Sequence, residues 1–473
     1  MKRICDRTNC GVLAVVAVVL GAGLPWGCIE YQAKPLSADQ AAAGFEARTL
    51  DDPGLTAFLE TSQAPPEWDL DRLALAAFYF HPDLDVARAE LAVAEAAKVT
   101  AGERPNPSLA ITPAFNSTDT VRPWMVDVQL DIPIETADKR SKRIAMAECL
   151  RQAARLRVAA RAWDIRSRVR QALLALQNAR ESLELLRRQN ALYAEVVRLI
   201  EAQRAAGSAS DYDVSEARVA SQQSRLAVRD AEIREAAALA QLAEGISLPS
   251  AALADVAFAF EPLDTPTPVP SDADARRRAV TRRADLLAFL AEYAASEADL
   301  ELEVAKQYPD ISLGHGYKLD QTDNEWSLGF AVELPVFNRN EGPIAEALAR
   351  RDETAARFNA LQARVFGEID AARAACRTTL LKREEAEALR READQRREAA
   401  EARFKAGEVS HLNLVFHEIE RNAAALLELN ARAEARRALG DMEDALQSTL
   451  TLSDAVLKLS PSSDQAAAEK ASP

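Results

Sequence analysis

At 473 residues, with 16 Gly, 14 Phe, 7 Tyr and 5 Trp against an excess of Ala, Arg, Glu and Leu, the chain is too poor in turn formers and aromatics for an ordinary mixed fold, and reads as mostly helix. The 58 basic residues are outweighed by 73 acidic ones, and the net charge of −15 argues against nucleic acid as a partner. A solvated helix surface accounts for the rest of the charge.

Lys2, Arg3 and Arg7 precede an apolar run from Val12 to Leu24, the pattern of a bacterial export signal over residues 1–27. The run is too short, and too soon followed by polar residues, for a spanning helix. Gly27-Cys28 resembles the cleavage site of bacterial lipoproteins, which makes Cys28 the candidate lipidation site, although Pro25 stands where that family prefers Leu; ordinary cleavage nearby is the alternative. Ile29 after the Cys, by the same resemblance, favours the outer membrane. Cys5 and Cys10 leave with the signal, so Cys149 and Cys376 read as small buried helix residues, not as half-cystines.

Residues 28–69, with Pro35, Pro53, Pro65 and Pro66, show no strong periodicity and predict an extended segment. A first structural repeat spans 70–245. Helix signals start at Leu70, break near His81-Pro82 and continue to Gly102; Arg104-Pro105-Asn106-Pro107 stops them. A short strand (Leu109, Ile111, Phe115) leads through a polar loop to a second, in which Val126, Val128, Leu130, Ile132 and Ile134 alternate with Asp127, Gln129 and Asp131. The pair predicts a hairpin with one apolar face, and pairing is expected to fail at Pro133 because proline has no N–H to donate.

No Gly or Pro follows until Gly207, so a helix on the order of 100 Å long is expected, with Leu183, Leu186, Asn190, Tyr193, Val197 and Ile200 as a coiled-coil seam. Gly207 ends it, and Ser210 or Asp211 can cap a return helix from Tyr212 to about Glu244. A proline-punctuated linker covers 246–273.

A second repeat, 274–446, follows. A helix is expected from about Asp274 to Gln307, with Arg283-Ala284-Asp285-Leu286 matching His81-Pro82-Asp83-Leu84. Strands Ile311–Leu319 and Trp326–Leu334 come next, the second ending at Pro335, then a long helix from Ile344 to Ala406. Gly407, Glu408 and Ser410 repeat the turn of Gly207 and Ser210, and heptad spacing runs down the return helix to Gly440. The remainder, 447–473, is a small, polar tail.

Four strands with one apolar face cannot close a barrel alone, and an open edge is not tolerated in lipid. Three chains would supply twelve strands; two would supply eight, too narrow to carry solute. Trp124 and Trp326, at the start of each second strand, fit an interfacial girdle. A small soluble sheet packed on helices is the alternative. His81, His315, His411 and His417 are scattered, so no metal site is expected, and no nucleophile–base pair or phosphate loop suggests an enzyme or a cofactor.

The order of His81-Pro82-Asp83-Leu84, Arg104-Pro105-Asn106-Pro107, Asp131-Ile132-Pro133-Ile134, Glu333-Leu334-Pro335-Val336 and the paired Ala-Gly-x-x-Ser turns resembles the TolC-type outer-membrane efflux factors over nearly all of Leu70–Leu446. Ile132-Pro133-Ile134-Glu135-Thr136 with Lys139-Arg140 is similar to the CzcC-like branch serving heavy-metal cation exporters. The resemblance implies a mainly α fold with a small β part: an α-helical barrel of coiled coil joined to a homotrimeric twelve-stranded transmembrane β-barrel in outer-membrane lipid.

It also implies a duct docked through its helix tips onto a periplasmic adaptor and an inner-membrane pump. The tips would be Gly207, Ser210, Asp211, Asp213, Gly407, Glu408 and Ser410. Family members often place acids just past the second turn, where this chain has Asn413 and Phe416; any charged ring falls instead to Asp211, Asp213 and Glu216, or to Glu408, and helix capping is the alternative use of these acids. Type I protein secretion and a non-conducting periplasmic scaffold remain the competing functions.

Overall fold

The computed structural model describes residues 31–118, 123–260, 271–321 and 323–447; the export signal, Cys28 and the tail beyond Gln447 lie outside the described residues. The chain divides after Ala47. Residues 31–47 contain one helix, α1 (Ala38–Glu46). The second unit begins at Arg48 and already departs from the expected loose segment. Helix α2 (Pro53–Thr61) is capped by Asp52, whose carboxylate accepts the Leu55 N–H at 2.9 Å. It buries Leu55, Phe58 and Leu59 against the following helix, α3 (Leu70–Phe80). Nine residues are too few for a 3.6-residue period to stand out in sequence.

The repeat is plain in the remaining elements. The first half holds α4 (Pro82–Ala101), β1 (Ser108–Phe115), β2 (Trp124–Ile134), α5 (Lys139–Ala205) and α6 (Asp211–Ile246). A short 3-10 turn at Ser250–Leu253 follows. The second half holds α7 (Asp272–Arg282), α8 (Ala284–Ala305), β3 (Ile311–Asp320), β4 (Asp323–Val332), α9 (Glu341–Lys405) and α10 (His411–Leu446). Helices α5 and α9, of 67 and 65 residues, run unbroken past all the others. Of the two cysteines read as buried, Cys376 is, with its Sγ 3.0 Å from the Ala438 carbonyl, whereas Cys149 is only half-buried; both are free.

The single helix expected over 274–307 is two. Arg283 interrupts it with extended backbone (φ −65°, ψ 124°), as His81 does between α3 and α4. No proline marks this break. Arg283 is buried, and its guanidinium donates to Asp285 at 3.0 and 2.7 Å, to Glu368 at 3.0 Å and to the Ala445 carbonyl at 2.9 Å. Tertiary partners hold the kink, so local propensity does not reveal it.

Side by side, the long helices make one layer. Towards the turns the order is α6, α5, α10, α9; on the sheet side of the joints it is α4, α5, α8, α9. Thus α10 ends, and α8 begins, between two helices that run through. One carboxylate fastens this joint to α5: Asp444 accepts from Trp163 Nε1 (3.2 Å), Ser167 Oγ (2.5 Å) and the buried Arg170 guanidinium (2.5 Å). Gly440 makes the approach possible, since a Cβ there would lie 1.1 Å from an Arg170 nitrogen.

All four strands form one antiparallel sheet in the order β1-β2-β3-β4. Two expectations fail in it. Pairing does not stop at Pro133, which stands opposite Ser312, and continues to Ile134 opposite Ile311. The ladder with β1 has already ended at Asp131, so β2 has one neighbour there and tolerates a residue without an N–H. Strand β4 starts three residues before Trp326 and stops at Val332, leaving Leu334 and Pro335 outside it. Asp323, Asn324 and Glu325 keep pairing with Asp320, Leu319 and Lys318, so the strand opens before the tryptophan.

Removing Asp444 strands a buried guanidinium, and such a loss costs about 3–5 kcal/mol. Asp444→Ala is therefore expected to lower stability in a detergent melt by roughly that much, whereas Arg170→Met combined with Asp444→Leu should recover most of it. Equal losses in both variants would show that the ion pair is not what holds the joint.

Candidate functional site

Register assigns the faces of the sheet. Phe115, Ile111 and Leu109 lie opposite Trp124, Val128 and Leu130; Ile311, Leu313 and Tyr317 continue the row, and Val332, Phe330, Leu328 and Trp326 end it. This face is apolar apart from His315 and, at its end, Asn324, and is left open, with Leu328 and Phe330 75% and 79% exposed. The other face presents Asp127, Gln129, Asp131, Lys318 and Glu325. Among the described residues no strand lies beside the outer edges of β1 and β4. Trp124 packs edge-on against Phe115 at 5.2 Å, and Trp326 lies tilted against Tyr317 at 4.8 Å. They do not share a level: Trp326 is level with Tyr317 and Val128, four residues along β2 from Trp124.

Pro133 and Pro335, read as strand-to-helix junctions, lie beside the ends of β2 and β4, and the chain turns into the long helices a few residues further on. Asp138 and Asn340, at corresponding places of the repeat, are left-handed (φ 55° and 61°), a conformation Asp and Asn tolerate better than most residues. In the first junction Lys139 Nζ donates to Asp310 Oδ1 at 2.7 Å and the Thr136 N–H to the same oxygen at 2.9 Å. Burial alone would raise the Asp310 pKa, yet these donors hold it below the ordinary carboxylate value. Arg140 reaches the Gly102 carbonyl (2.6 Å), and Arg143 pairs with Glu135. The second junction instead uses Asn340 Nδ2, which donates to the Glu303 carbonyl and carboxylate at 2.7 and 2.9 Å.

At the opposite ends of α5 and α9, Gly207 (φ 80°) and Gly407 (φ 76°) close the helices identically. Ser208 N–H donates to the Gln203 carbonyl and Gly207 N–H to Arg204; Glu408 to Arg403 and Gly407 to Phe404 repeat the pattern. Both are Schellman closures, which place the chain in the left-handed region where glycine costs least. Each return helix then opens on a serine. Ser210 Oγ accepts the Asp213 N–H, and the Asp213 carboxylate accepts the Ser210 N–H at 2.7 Å, a full capping box that lowers the Asp213 pKa. Ser410 caps through the Asn413 N–H alone.

The acids of the tips are engaged locally: Asp211 pairs with Arg204 at 2.6 Å and Glu408 with Arg403 at 3.3 Å. Val196, Ala217, Val415 and Ile419 bury themselves between α5, α6 and α10 and set the two turns at the same end of the layer. His411, scattered in sequence, comes within 3.7 Å of Glu195 on α5 and stacks beside Phe404 at 5.3 Å. Only the tertiary packing of α10 on α5 could have shown that contact.

Residues 77–246 and 275–448 match the profile described as Outer membrane efflux protein, covering both halves of the duplication. The cobalt-zinc-cadmium resistance protein CzcC of Cupriavidus metallidurans is 29% identical over 277 residues, 57% of this chain and 64% of that protein, so the match spans under two thirds of the relative's length. Solved structures share the fold. A membrane protein from Pseudomonas aeruginosa aligns with a TM-score of 0.66 at 21% identity over 80% of this chain and 90% of its own. CusC aligns at 0.65 and 16% identity over 80% and 92%. The Campylobacter jejuni CmeC outer membrane channel aligns at 0.64 and 16% identity over 94% and 97%. The chain belongs to the outer membrane efflux protein family, with a long helical extension into the periplasm.

Proposed function

We propose that this chain, as a homotrimer, is the passive exit duct of a tripartite efflux system, taking solutes from an inner-membrane pump and periplasmic adaptor across the outer membrane. The observation that carries the reading is that both layers are open at the same two sides. On one side lie β1, α4 and α6; on the other, β4 and the whole of α9. Sheet and helices therefore leave matching edges for the next copy. Three copies give twelve strands, and the exposed apolar face then meets lipid.

The helical edges carry side chains suited to that contact. On α6, Tyr212, Val219, Leu226 and Ile233 recur every seventh residue and are all exposed. On α9, Leu381, Leu389 and Phe404 are exposed too. Ile233 lies 26 residues beyond Gly207 and Leu381 lies 26 before Gly407, so the two rows span the same height. In a ring, α6 of one copy runs antiparallel to α9 of the next.

The name of the Cupriavidus relative supports heavy-metal cations as cargo; drugs and, through a type I system, proteins are the other cargo classes. A non-conducting scaffold leaves the sheet's open apolar face without a use. The tip residues Gly207, Ser210, Asp211, Asp213, Gly407, Glu408 and Ser410 are the adaptor's docking end, Trp124 and Trp326 contact the membrane interface at two depths, and Cys28 carries the lipid.

Leu226→Asp with Ile233→Asp is expected to abolish a heat-labile trimer in detergent while leaving helical content unchanged; an intact trimer would remove α6 from the ring-closing edge. Nothing lies within 4 Å of a Cβ built at Gly407, so Gly407→Val strains only the turn. That strain is roughly 1–2 kcal/mol for a residue forced into the left-handed region. Efflux-dependent resistance should fall with trimer and membrane insertion intact, and normal resistance would sink the docking role of the turn.

A further inference from the structure

The duplication repeats register as well as order. The β1–β2 ladder recurs in β3–β4 202 residues further along both strands: Leu109 opposite Leu130 becomes Ile311 opposite Val332, and Phe115 opposite Trp124 becomes Tyr317 opposite Trp326. The third ladder, β2–β3, has no such counterpart among the described residues. The chain beside that gap shows what is missing. Asp131 is the last residue of β2 paired with β1, and Ile132, Pro133 and Ile134 go on to pair with Leu313, Ser312 and Ile311 of β3. In the second half the ladder with β3 ends at Val332, and Glu333-Leu334-Pro335-Val336, the repeat of Asp131-Ile132-Pro133-Ile134, runs on outside any ladder. Leu334 and Val336 are 71% and 67% exposed, Phe337 is wholly exposed, and the Val336 N–H bends back to the Leu334 carbonyl at 2.8 Å.

The residues just before β3 hold the first junction: Thr136 Oγ1 donates to the Pro309 carbonyl at 2.7 Å and Lys139 Nζ to Asp310 at 2.7 Å. Before β1, Arg104, Pro107 and Ser108 stand where Lys306, Pro309 and Asp310 stand before β3, and Asn338 and Glu341 repeat Thr136 and Lys139. The pairing chemistry survives the exchange. Asn338 spends its Oδ1 on the Asn340 N–H at 2.9 Å and keeps Nδ2 to offer the Pro107 carbonyl, while the Ser108 hydroxyl can donate to Glu341 as Lys139 donates to Asp310. Arg104 and Glu341, of opposite charge, make no ion pair among the described residues. We propose that residues 333–336 become an extension of β4 by pairing with β1 of the next copy in the register of β2–β3. Val336 then lies opposite Leu109 of that copy and Leu334 opposite its Ile111, and Phe337 is covered by its segment 104–107. The inference rests on the trimeric reading and adds the contact through which the ring closes: β4 reaches its full length only in the assembly.

Disulfide trapping in outer-membrane vesicles tests the register. Residues opposite each other in an antiparallel ladder have Cα atoms about 4.5–5.5 Å apart, within reach of a disulfide, whereas a shift of four residues adds about 13 Å. With copper phenanthroline as oxidant, Val336→Cys combined with Leu109→Cys is expected to give covalent dimers and trimers that survive boiling without reductant, and so is Leu334→Cys with Ile111→Cys. Val336→Cys with Pro113→Cys, and each single variant, set the background from Cys149 and Cys376. Native mass of unboiled material shows whether each variant assembles; where one pair does not, the other decides. Assembled trimers without cross-links in the two matched pairs, or with more in the Pro113 pair, would overturn the register and leave the apolar patch to lipid, with the duct reading intact. A wild-type chain that forms no trimer would overturn both.

Discussion

An unpaired strand edge cannot stand in hydrocarbon, because each N–H and C=O left there costs several kcal/mol with no water to satisfy it. The sheet of this chain has two such edges, on β1 and β4, and an apolar face that a solvated protein would have to cover. Much else follows from that one constraint. Each strand edge is continued by a helical edge, so whatever completes the sheet also completes the wall. Since β2 and β3 pair across the repeat, a single copy contributes one uninterrupted quarter-dozen-plus-one of strands, not two separate hairpins.

The wall needs rigidity along its length, and two helices of 67 and 65 residues supply it. The shorter helices meet end to end beside them, and there the backbone has carbonyls to satisfy. Arginine does this in both halves by different routes. Arg283 takes the Ala445 carbonyl at the end of α10, and Arg48 takes the Ser247 and Phe80 carbonyls at 3.0 and 3.1 Å at the ends of α6 and α3. The duplication has kept the geometry and exchanged the residues that fasten it. The same holds at the strand-to-helix junctions, where Lys139–Asp310 in one half answers to Asn340–Glu303 in the other.

Legibility in the sequence followed the length over which a signal repeats. The long helices, their glycine turns and the alternation of β2 span many periods or use a residue with one conformational purpose, and their ends fall within a few residues of expectation. What was hidden depends on partners far along the chain. The kink at Arg283 comes from Glu368 and Ala445, the buried helix α2 is too short to show a period, and Pro133 stays in the ladder because β1 has already left it. At the tips the glycines and Ser210 could be read from local chemistry, whereas the use of Asp211 by Arg204, and of Glu195 by His411, required the fold.

The central claim is that three copies close the open edges. Native mass measurement of the detergent-extracted outer-membrane fraction, kept unboiled, tests it most directly. A species of about three protomer masses, collapsing to one on heating, is the result this account predicts. A monomer recovered from the soluble periplasm would contradict it, because the edges of β1 and β4 would then stand open in water and no barrel would exist.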